Sequence, residues 1–266
     1  MIEFIGNIAK EAEEVALDKM KIIDMAKIRA KATDKDLVTE VDLIIEKKLI
    51  SRIRTKFPDH DIYGEESGRS GSTREFCWII DPIDGTISYI HQTPYFSISI
   101  ALQKNHETIA GAVFAPKLGE IFTAEKGKGA YLNGDHIRTS PQKILGQSLM
   151  ATGFACIRAG ARKNNLVYLN KILPDIRAIR RCGSAALDMA YVACGRYEAF
   201  WEMNLNIYDV AAGILLVREA GGRITDMSGG NHFPERGIVA SNTLLHGRLL
   251  DYFKTSTGLP GDRRTA

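Results

Sequence analysis

The stretch WIIDPIDGT, residues 78–86, sets Asp81 and Asp84 three positions apart at the end of an apolar run. Pro82 stands between them, and Gly85 and Thr86 follow. Further acids fall outside helix faces: Asp42 in VTEVD, Glu65 and Glu66 in YGEES, Glu202 in FWEM, and Asp209. Loops at strand ends are favoured places for catalytic groups. If Glu65, Asp81, Asp84 and Asp209 converge in one cleft, their charges repel, so their pKa values rise or cations neutralise them. An all-oxygen set without His or Cys suits magnesium rather than zinc. Pro82 is expected to lock a turn in which the Ile83 carbonyl adds a rigid ligand. Gly85 and Thr86 offer backbone N–H groups at an expected helix start, a seat for phosphate.

Magnitudes favour metal assistance for phosphate chemistry. Phosphate monoesters need rate enhancements up to about 10²¹, whereas one positioned acid or base contributes roughly 10²–10⁴. Metals about 3.5–4 Å apart stabilise the entering and leaving oxygens together. Each acid also has an ordinary reading. Asp209 suits a helix N-cap, Asp42 a helix-face charge, Glu65 and Glu66 loop acids, and Glu202 the exposed member of an alternating strand. Thr86 suits a turn. Only their joint placement points elsewhere.

The elements that must position these groups follow from periodicity. Ile5, Ala9, Ala12, Ala16 and Met20 share one face of an N-terminal helix. TEVDLIIEKKLISRIRTKF forms a second, with Ile45, Leu49 and Ile53 inward and Lys47, Lys48 and Arg52 outward, ended by Pro58 and Asp59. FCWII runs as a strand into Asp81, and FSISIAL alternates as a half-buried strand. TIAGAVFAP and the segment from Glu120 to Ser140 supply more strands, with a hairpin at Asn133-Gly134. SLMATGF, a helix through SAALDMAYVACG, a strand YEAFWEM, a helix opened by Asp209 and closed by Gly221 and Gly222, a hairpin, GIVASN and a last helix complete the order. Strands mixed with helices, without regular βαβ alternation, argue for layers of helix and sheet rather than a barrel or a Rossmann domain.

The 266 residues, 45% hydrophobic with a formal charge of +3, describe a globular chain with a substantial core and no mark of nucleic-acid binding. Arg177, Arg180 and Arg181, with Arg158, Arg162 and Lys163, are expected on solvated faces or subunit contacts. Cys77, Cys156, Cys182 and Cys194 lack CxxC spacing, which fits reduced thiols in the cytoplasm. The acidic N-terminus reads as neither signal peptide nor membrane span. Residues 1–266 are expected to form one domain, with an N-terminal half to about 145 carrying most metal ligands, a C-terminal half of about 146–258, and a frayed tail at 259–266.

Across these residues the chain resembles the inositol monophosphatase family, most closely its bacterial SuhB-type members. The match runs in order through DLVTEVD (36–42), YGEES (63–67), WIIDPIDGT (78–86), GAVFAP (111–116) and FTAEKGKGAYLNG (122–134). It continues through RRCGSAALDMAYVACGRYEAFWE (180–202) and YDVAAGILLVREAGG (208–222). The resemblance implies an α/β (α+β) fold, a layered α-β-α-β-α sandwich of the sugar-phosphatase superfamily. It implies a cytoplasmic homodimer that uses two or three Mg²⁺ per site and is inhibited by lithium. Glu65, Asp81 and the carbonyl of Ile83 then match the first metal site. Asp81, Asp84 and Asp209 match the second, and Glu65 faces a weaker third. Thr86 and Asp42 match the pair that orients the attacking water, with Lys31 nearby, so Glu65, Asp81, Asp42 and Thr86 carry catalysis. Gly85 and Thr86 lie under the phosphate, beside Ile83, Asp84 and Asp209. Gly183, Ser184, Ala185 and Glu202 match the wall that meets the hydroxyls of the alcohol. The implied reaction is hydrolysis of inositol 1-phosphate or a similar polyol phosphate by metal-activated water.

Ile87-Ser88 departs from the family's usual Thr-Asn, and Asn204, Asn206 and Tyr208 depart on the alcohol side. Sister activities on histidinol phosphate, fructose 1,6-bisphosphate or 3′-phosphoadenosine 5′-phosphate stay open. The last is disfavoured by the missing lysine after Thr86. A haloacid-dehalogenase-type phosphatase would need its two aspartates one residue closer and near the first strand. An accessory role at the transcription machinery, using the arginines at 177–181, is a reading of another class.

Overall fold

A computed structural model describes residues 1–22, 40–71 and 75–254, and the backbone alone of Arg29–Ala30 and Leu37–Val38. Lys31 and the C-terminal tail expected at 259–266 lie outside the described residues. Along the chain run α1 (Ile2–Met20), β1 (Arg29–Ala30), β2 (Leu37–Val38), α2 (Glu40–Lys56), β3 (Asp61–Gly64), β4 (Gly68–Ser70), β5 (Phe76–Asp84) and α3 (Thr86–Ile90). Next come β6 (Ser97–Lys104), β7 (Glu107–Ala115), β8 (Glu120–Glu125), β9 (Ala130–Leu132), β10 (Asp135–Ile137), β11 (Leu149–Thr152), α4 (Ala155–Arg158) and α5 (Leu166–Ile172). The chain continues with β12 (Ala178–Arg180), α6 (Ala185–Ala193), β13 (Ala199–Glu202), α7 (Ile207–Glu219), β14 (Gly222–Thr225), β15 (Ile238–Asn242) and α8 (Thr243–Lys254).

Two main sheets carry the fold. One has eight strands in the order β10-β9-β8-β7-β6-β5-β3-β4, the other five in the order β12-β11-β13-β15-β14. The first is antiparallel except where β3 runs parallel to β5. In the second, β11 is parallel to both its neighbours and β15 antiparallel to both of its own. Helices α1 and α2 pack on one face of the large sheet, α6 and α7 lie between the sheets, and α5 and α8 cover the small sheet. The result is the five-layered α-β-α-β-α sandwich that the sequence resemblance implies.

Three cores fill the four gaps between layers. One joins Ile5, Ala9, Ile45, Leu49 and Ile53 of α1 and α2 to Trp78, Ile98, Ile100 and Leu102 of the large sheet. The central core joins Ala101, Val113 and Phe122 to Leu187, Met189, Ala211, Leu215 and Phe200. The third sets Tyr168, Leu245, Leu249 and Phe253 against Trp201 and Val239. Burial of large side chains at about 25 cal/mol per Å² drives this layering.

Covering both faces of the large sheet changes two expectations. FSISIAL is buried on both faces, not half-buried, because α7 covers the face that Ser97, Ser99 and Ala101 present. Small residues permit that approach: a Cβ on Gly111 would sit 3.1 Å from the Cα of Ala212 in α7. The second difference concerns β5, which does not stop at Asp81. It continues through Pro82 and Ile83 to Asp84, so Pro82 interrupts no strand. Asp81 pairs with Ser99 but Asp84 with Ser97, so β5 spends three steps where β6 spends two. This is a β-bulge, which also explains how a proline is accommodated in a central strand.

On the small sheet, α8 buries His246, whose Nε2 lies 3.0 Å from Thr225 Oγ1 and Nδ1 2.7 Å from Ser241 Oγ. Burial, and then the charge of Arg223, lower its pKa to about 4. The unfolded imidazole titrates near 6.5 and so takes up a proton that the folded one refuses. Stability gained from this group is therefore complete above about pH 6.5 and is lost as pH falls toward 4. Urea unfolding between pH 4 and 7 should show stability falling with acid by up to about 1.4 kcal/mol per pH unit from this group. His246→Gln should remove that share of the slope.

Candidate active site

The bulge decides the geometry. In a regular strand, residues three apart point to opposite faces. The extra residue in β5 brings Asp81 and Asp84 together with Asp209, their nearest oxygens all within 4.8 Å of one another. A small cleft above them is lined by Glu65, Asp81, Ile83, Asp84, Gly85, Thr86 and Asp209. It adjoins a larger cavity of ≈ 460 Å³ whose walls include Gly183, Ser184, Ala185, Glu202 and Tyr208. Of the described residues expected at the site, only Asp42 lines neither space.

Each carboxylate has its own support. Asp84 Oδ2 accepts hydrogen bonds from Ser184 Oγ and from the Ala186 N–H, both at 2.7 Å. Ser184 is the N-cap of α6 and also accepts from the Leu187 N–H at 3.1 Å, so one side chain caps the helix and pins Asp84. Asp209 is not the N-cap of α7. That helix opens earlier, at Ile207, with Asn206 as N-cap, and Asp209 closes a capping box by accepting from the Asn206 N–H at 2.6 Å. The turn carrying Glu65 is held by Glu46 of α2, which accepts from the Glu66 N–H at 2.9 Å and the Ser67 N–H at 2.7 Å. Glu46 went unnoticed in the sequence because it reads there as an ordinary helix charge.

Gly85 caps α3 with φ of 94°, and a Cβ there would come within 3.0 Å of the Tyr95 carbonyl oxygen. Only glycine satisfies both conditions. The Thr86 hydroxyl donates to the Ile83 carbonyl at 3.3 Å rather than to Asp42. Asp42 is fully buried in the first turn of α2, not a surface charge, and its field raises the pKa of Tyr89 after the larger effect of burial. The departure at Ile87-Ser88 has a visible consequence: Ile87 lines the small cleft, while Ser88 Oγ donates to the Cys182 carbonyl at 3.2 Å.

Electrostatics follow from this crowding. Burial, then the charges of Glu65, Asp84 and Asp209, push the Asp81 carboxyl well above the usual carboxylate range. Burial, then Asp84, does the same at Asp209. Burial raises Asp84 to about 7 although the Ser184 and Ala186 hydrogen bonds pull it down. Asp81 is 1% exposed, and its Oδ1 has no hydrogen-bond partner among the described residues. A buried oxygen without a partner among the described residues, beside two more carboxylates, offers donors of the kind that suit a hard divalent cation.

The alcohol-side residues differ more from expectation. Glu202 is 5% exposed, not the outward member of its strand, and its Oε1 accepts from the Ala155 N–H at 2.9 Å. Arg158 and Arg181, expected at a solvated or subunit face, line the larger cavity, and Arg158 reaches the small cleft too. Asn204, Asn206 and Tyr208 also line the cavity. Asp188, embedded in the apolar run SAALDMAYVACG, was not singled out, and it lies in the same wall.

The profile of the inositol monophosphatase family matches residues 1–257. The chain belongs to that family. It is 41% identical over 257 residues to Nus factor SuhB of Pseudomonas aeruginosa, covering 94% of each chain. It is 37% identical to the inositol-1-monophosphatase of Mesorhizobium japonicum, covering 82% of this chain and 83% of that one. Among solved structures, the extragenic suppressor protein SuhB of Bartonella henselae superposes with a TM-score of 0.88 at 34% identity, over 96% of this chain and 98% of that one. Membership in the inositol monophosphatase family supports phosphatase activity. No helix among the described residues is long and apolar enough to cross a membrane.

If the three aspartates hold a cation, Mg²⁺ at a hundredfold excess over its Kd should stabilise the fold by about 2.7 kcal/mol. Asp81→Asn should raise the thermal midpoint of the metal-free protein by removing one repelling charge, and should abolish most of the Mg²⁺ increment. Scanning calorimetry of both proteins with EDTA and with Mg²⁺ checks this.

Proposed function

We propose that the protein is a Mg²⁺-dependent phosphomonoesterase acting on inositol 1-phosphate or a similar polyol phosphate, as a cytoplasmic homodimer sensitive to lithium. The observation that carries this reading is the crowded, mutually repelling set of buried Asp81 and Asp84 with partly exposed Asp209, opening onto a polar cavity. Glu65, Asp81, Asp84, Asp209 and the Ile83 carbonyl would hold two or three Mg²⁺. When bound, the cation neutralises this charge, stabilises charge developing on phosphoryl oxygens and lowers the pKa of water.

The chain's own residues do the rest. Backbone N–H groups at Gly85 and Thr86 face the phosphate. The Thr86 hydroxyl orients the attacking water once it leaves its bond to the Ile83 carbonyl, and Asp42, buried behind the cleft, acts through Thr86 rather than on the water itself. Ser184 and the Ala186 N–H keep Asp84 fixed while the charge of the cleft changes. Glu202, already turned inward by the Ala155 N–H, accepts a hydroxyl of the alcohol, with Gly183, Ser184 and Ala185 forming the wall beside it. Glu202 supports a polyol over the sister substrates. Exposed Leu166, Val167 and Leu173 offer apolar surface for the dimer.

Phosphate release from inositol 1-phosphate, with histidinol phosphate, fructose 1,6-bisphosphate and 3′-phosphoadenosine 5′-phosphate in parallel, tests the reading. Release should require Mg²⁺ and fall by roughly 10³-fold in Asp81→Asn, since a metal supplies several kcal/mol and each 1.36 kcal/mol is tenfold. A folded, Mg²⁺-binding protein that releases phosphate from none of these would overturn it.

A second role at the transcription machinery has one observation in its favour beyond the relative named as a Nus factor. Arg177, Arg180 and Arg196 line a separate pocket of ≈ 590 Å³ that shares no residue with the catalytic cavity. Co-purification with RNA polymerase should then survive Asp81→Asn and be lost when Arg177 and Arg180 are both reversed to Glu.

A further inference from the structure

The first turn of α6 fixes Asp84 through Ser184, and Asp188 follows Ser184 by four residues. Residues four apart share a helix face, so the face that grips the carboxylate cluster also turns Asp188 into the larger cavity. Asp188 is 2% exposed, and its Oδ1 finds no hydrogen-bond partner among the described residues. The Cys182 thiol, a weak donor that pairs with the Tyr197 hydroxyl at 3.4 Å, lowers the pKa of this carboxyl less than burial raises it. Arg181 lowers its pKa from a distance without forming an ion pair, whereas burial and then Glu202 raise it.

No packing role accounts for an acid here. Its neighbours Leu187, Met189 and Ala190 are all in the central core, where an apolar side chain would serve the fold better. A buried acceptor kept without a protein partner is a cost to stability that a ligand hydroxyl removes. Glu202 in the same wall has one oxygen engaged by Ala155 and is close enough for its charge to act on Asp188.

We propose that Asp188 is a second hydroxyl-binding carboxylate, so that the cavity reads at least two hydroxyl groups of the alcohol, one at Asp188 and one at Glu202. The inference rests on the phosphatase reading and deepens it. It assigns the substrate to phosphate esters of polyols with several free hydroxyls and disfavours esters of alcohols without them. The hydroxyl donates to Asp188 Oδ1, while Arg158 and Arg181 offer donors to hydroxyl oxygens on the same cavity wall.

The test compares the full-length protein with Asp188→Ala and Asp188→Asn. The selectivity ratio of kcat/KM for inositol 1-phosphate over 4-nitrophenyl phosphate should fall at least about tenfold in Asp188→Ala, mostly through KM. Asp188→Asn, which keeps an acceptor, should lose less. The thermal midpoint of either variant should stay level or rise. An unchanged ratio, or a lowered midpoint with both substrates losing equally, would mark Asp188 as structural and overturn the proposal. Wild-type protein inactive on every ester would instead defeat the phosphatase reading. Calorimetric binding of inositol 1-phosphate with Ca²⁺ then decides separately: weaker binding in Asp188→Ala upholds the role, and equal or absent binding in both proteins overturns it.

Discussion

One extra residue in β5 sets the terms for everything around it. Without the bulge between Asp81 and Asp84, the two carboxylates would point to opposite faces of the large sheet. With it, they meet Asp209 in a space too small for three free charges. The surroundings answer that repulsion locally. The Asn206 N–H holds Asp209, the Ala186 N–H and Ser184 hydroxyl hold Asp84, and Glu46 holds the turn beside Glu65. Asp81 alone among the three keeps a buried oxygen unanswered. If the cluster holds a cation, that oxygen is where it would do most for stability.

The two central helices share this task. Both α6 and α7 begin at the cluster, with Ser184 and Asn206 as their N-caps. Their N-terminal backbone amides carry partial positive charge toward the carboxylates, which offsets part of the repulsion. Their other ends run into the central core between the sheets, where Val192, Ala193, Leu215 and Val217 are buried. Apolar burial along the helices therefore anchors the groups that hold the polar cluster. The same feature accounts for the small residues along β6 and β7, because α7 has to lie close to the sheet for Asp209 to reach Asp81 and Asp84.

What could be read from the sequence follows from how local each signal is. Helical periodicity in α1 and α2 depends on neighbours three or four residues away, and both were legible with their inward faces. The convergence of Asp81, Asp84 and Asp209 was legible as chemistry, since those residue types have few joint uses. The bulge was not, because it depends on β6 and leaves no mark in WIIDPIDGT beyond a proline that also fits a turn. Two-sided burial of β6 depends on α7 arriving from more than 100 residues away, so alternation suggested a half-buried strand. Elements α4, α5 and β12 went unread because their short apolar runs lack a clear period. Asp188 was hidden for the opposite reason: its helix is so apolar that one acid reads as a surface position, while the packing of both sheets turns it inward.

The architecture also separates two kinds of selectivity. Asp81 and Asp84 belong to β5 of the large sheet, whereas Glu202 ends β13 of the small sheet and Arg158 ends α4 beside it. On the proposed reading, the phosphate end of the substrate meets the first sheet and the alcohol end meets the second. Asp84 joins them, because its carboxylate is clasped by the first turn of the helix that carries Asp188. Changes to Glu202, Asp188 or Asn204 can therefore alter the alcohol while β5 keeps its bulge and the cluster its geometry. A change at Ser184 cannot be confined in this way, since one hydroxyl serves the helix cap, the Asp84 carboxylate and, at 2.9 Å, Ser97 of the large sheet. On the proposed reading, the alcohol can thus be varied from the small-sheet side of the cavity only while that shared hydroxyl stays in place.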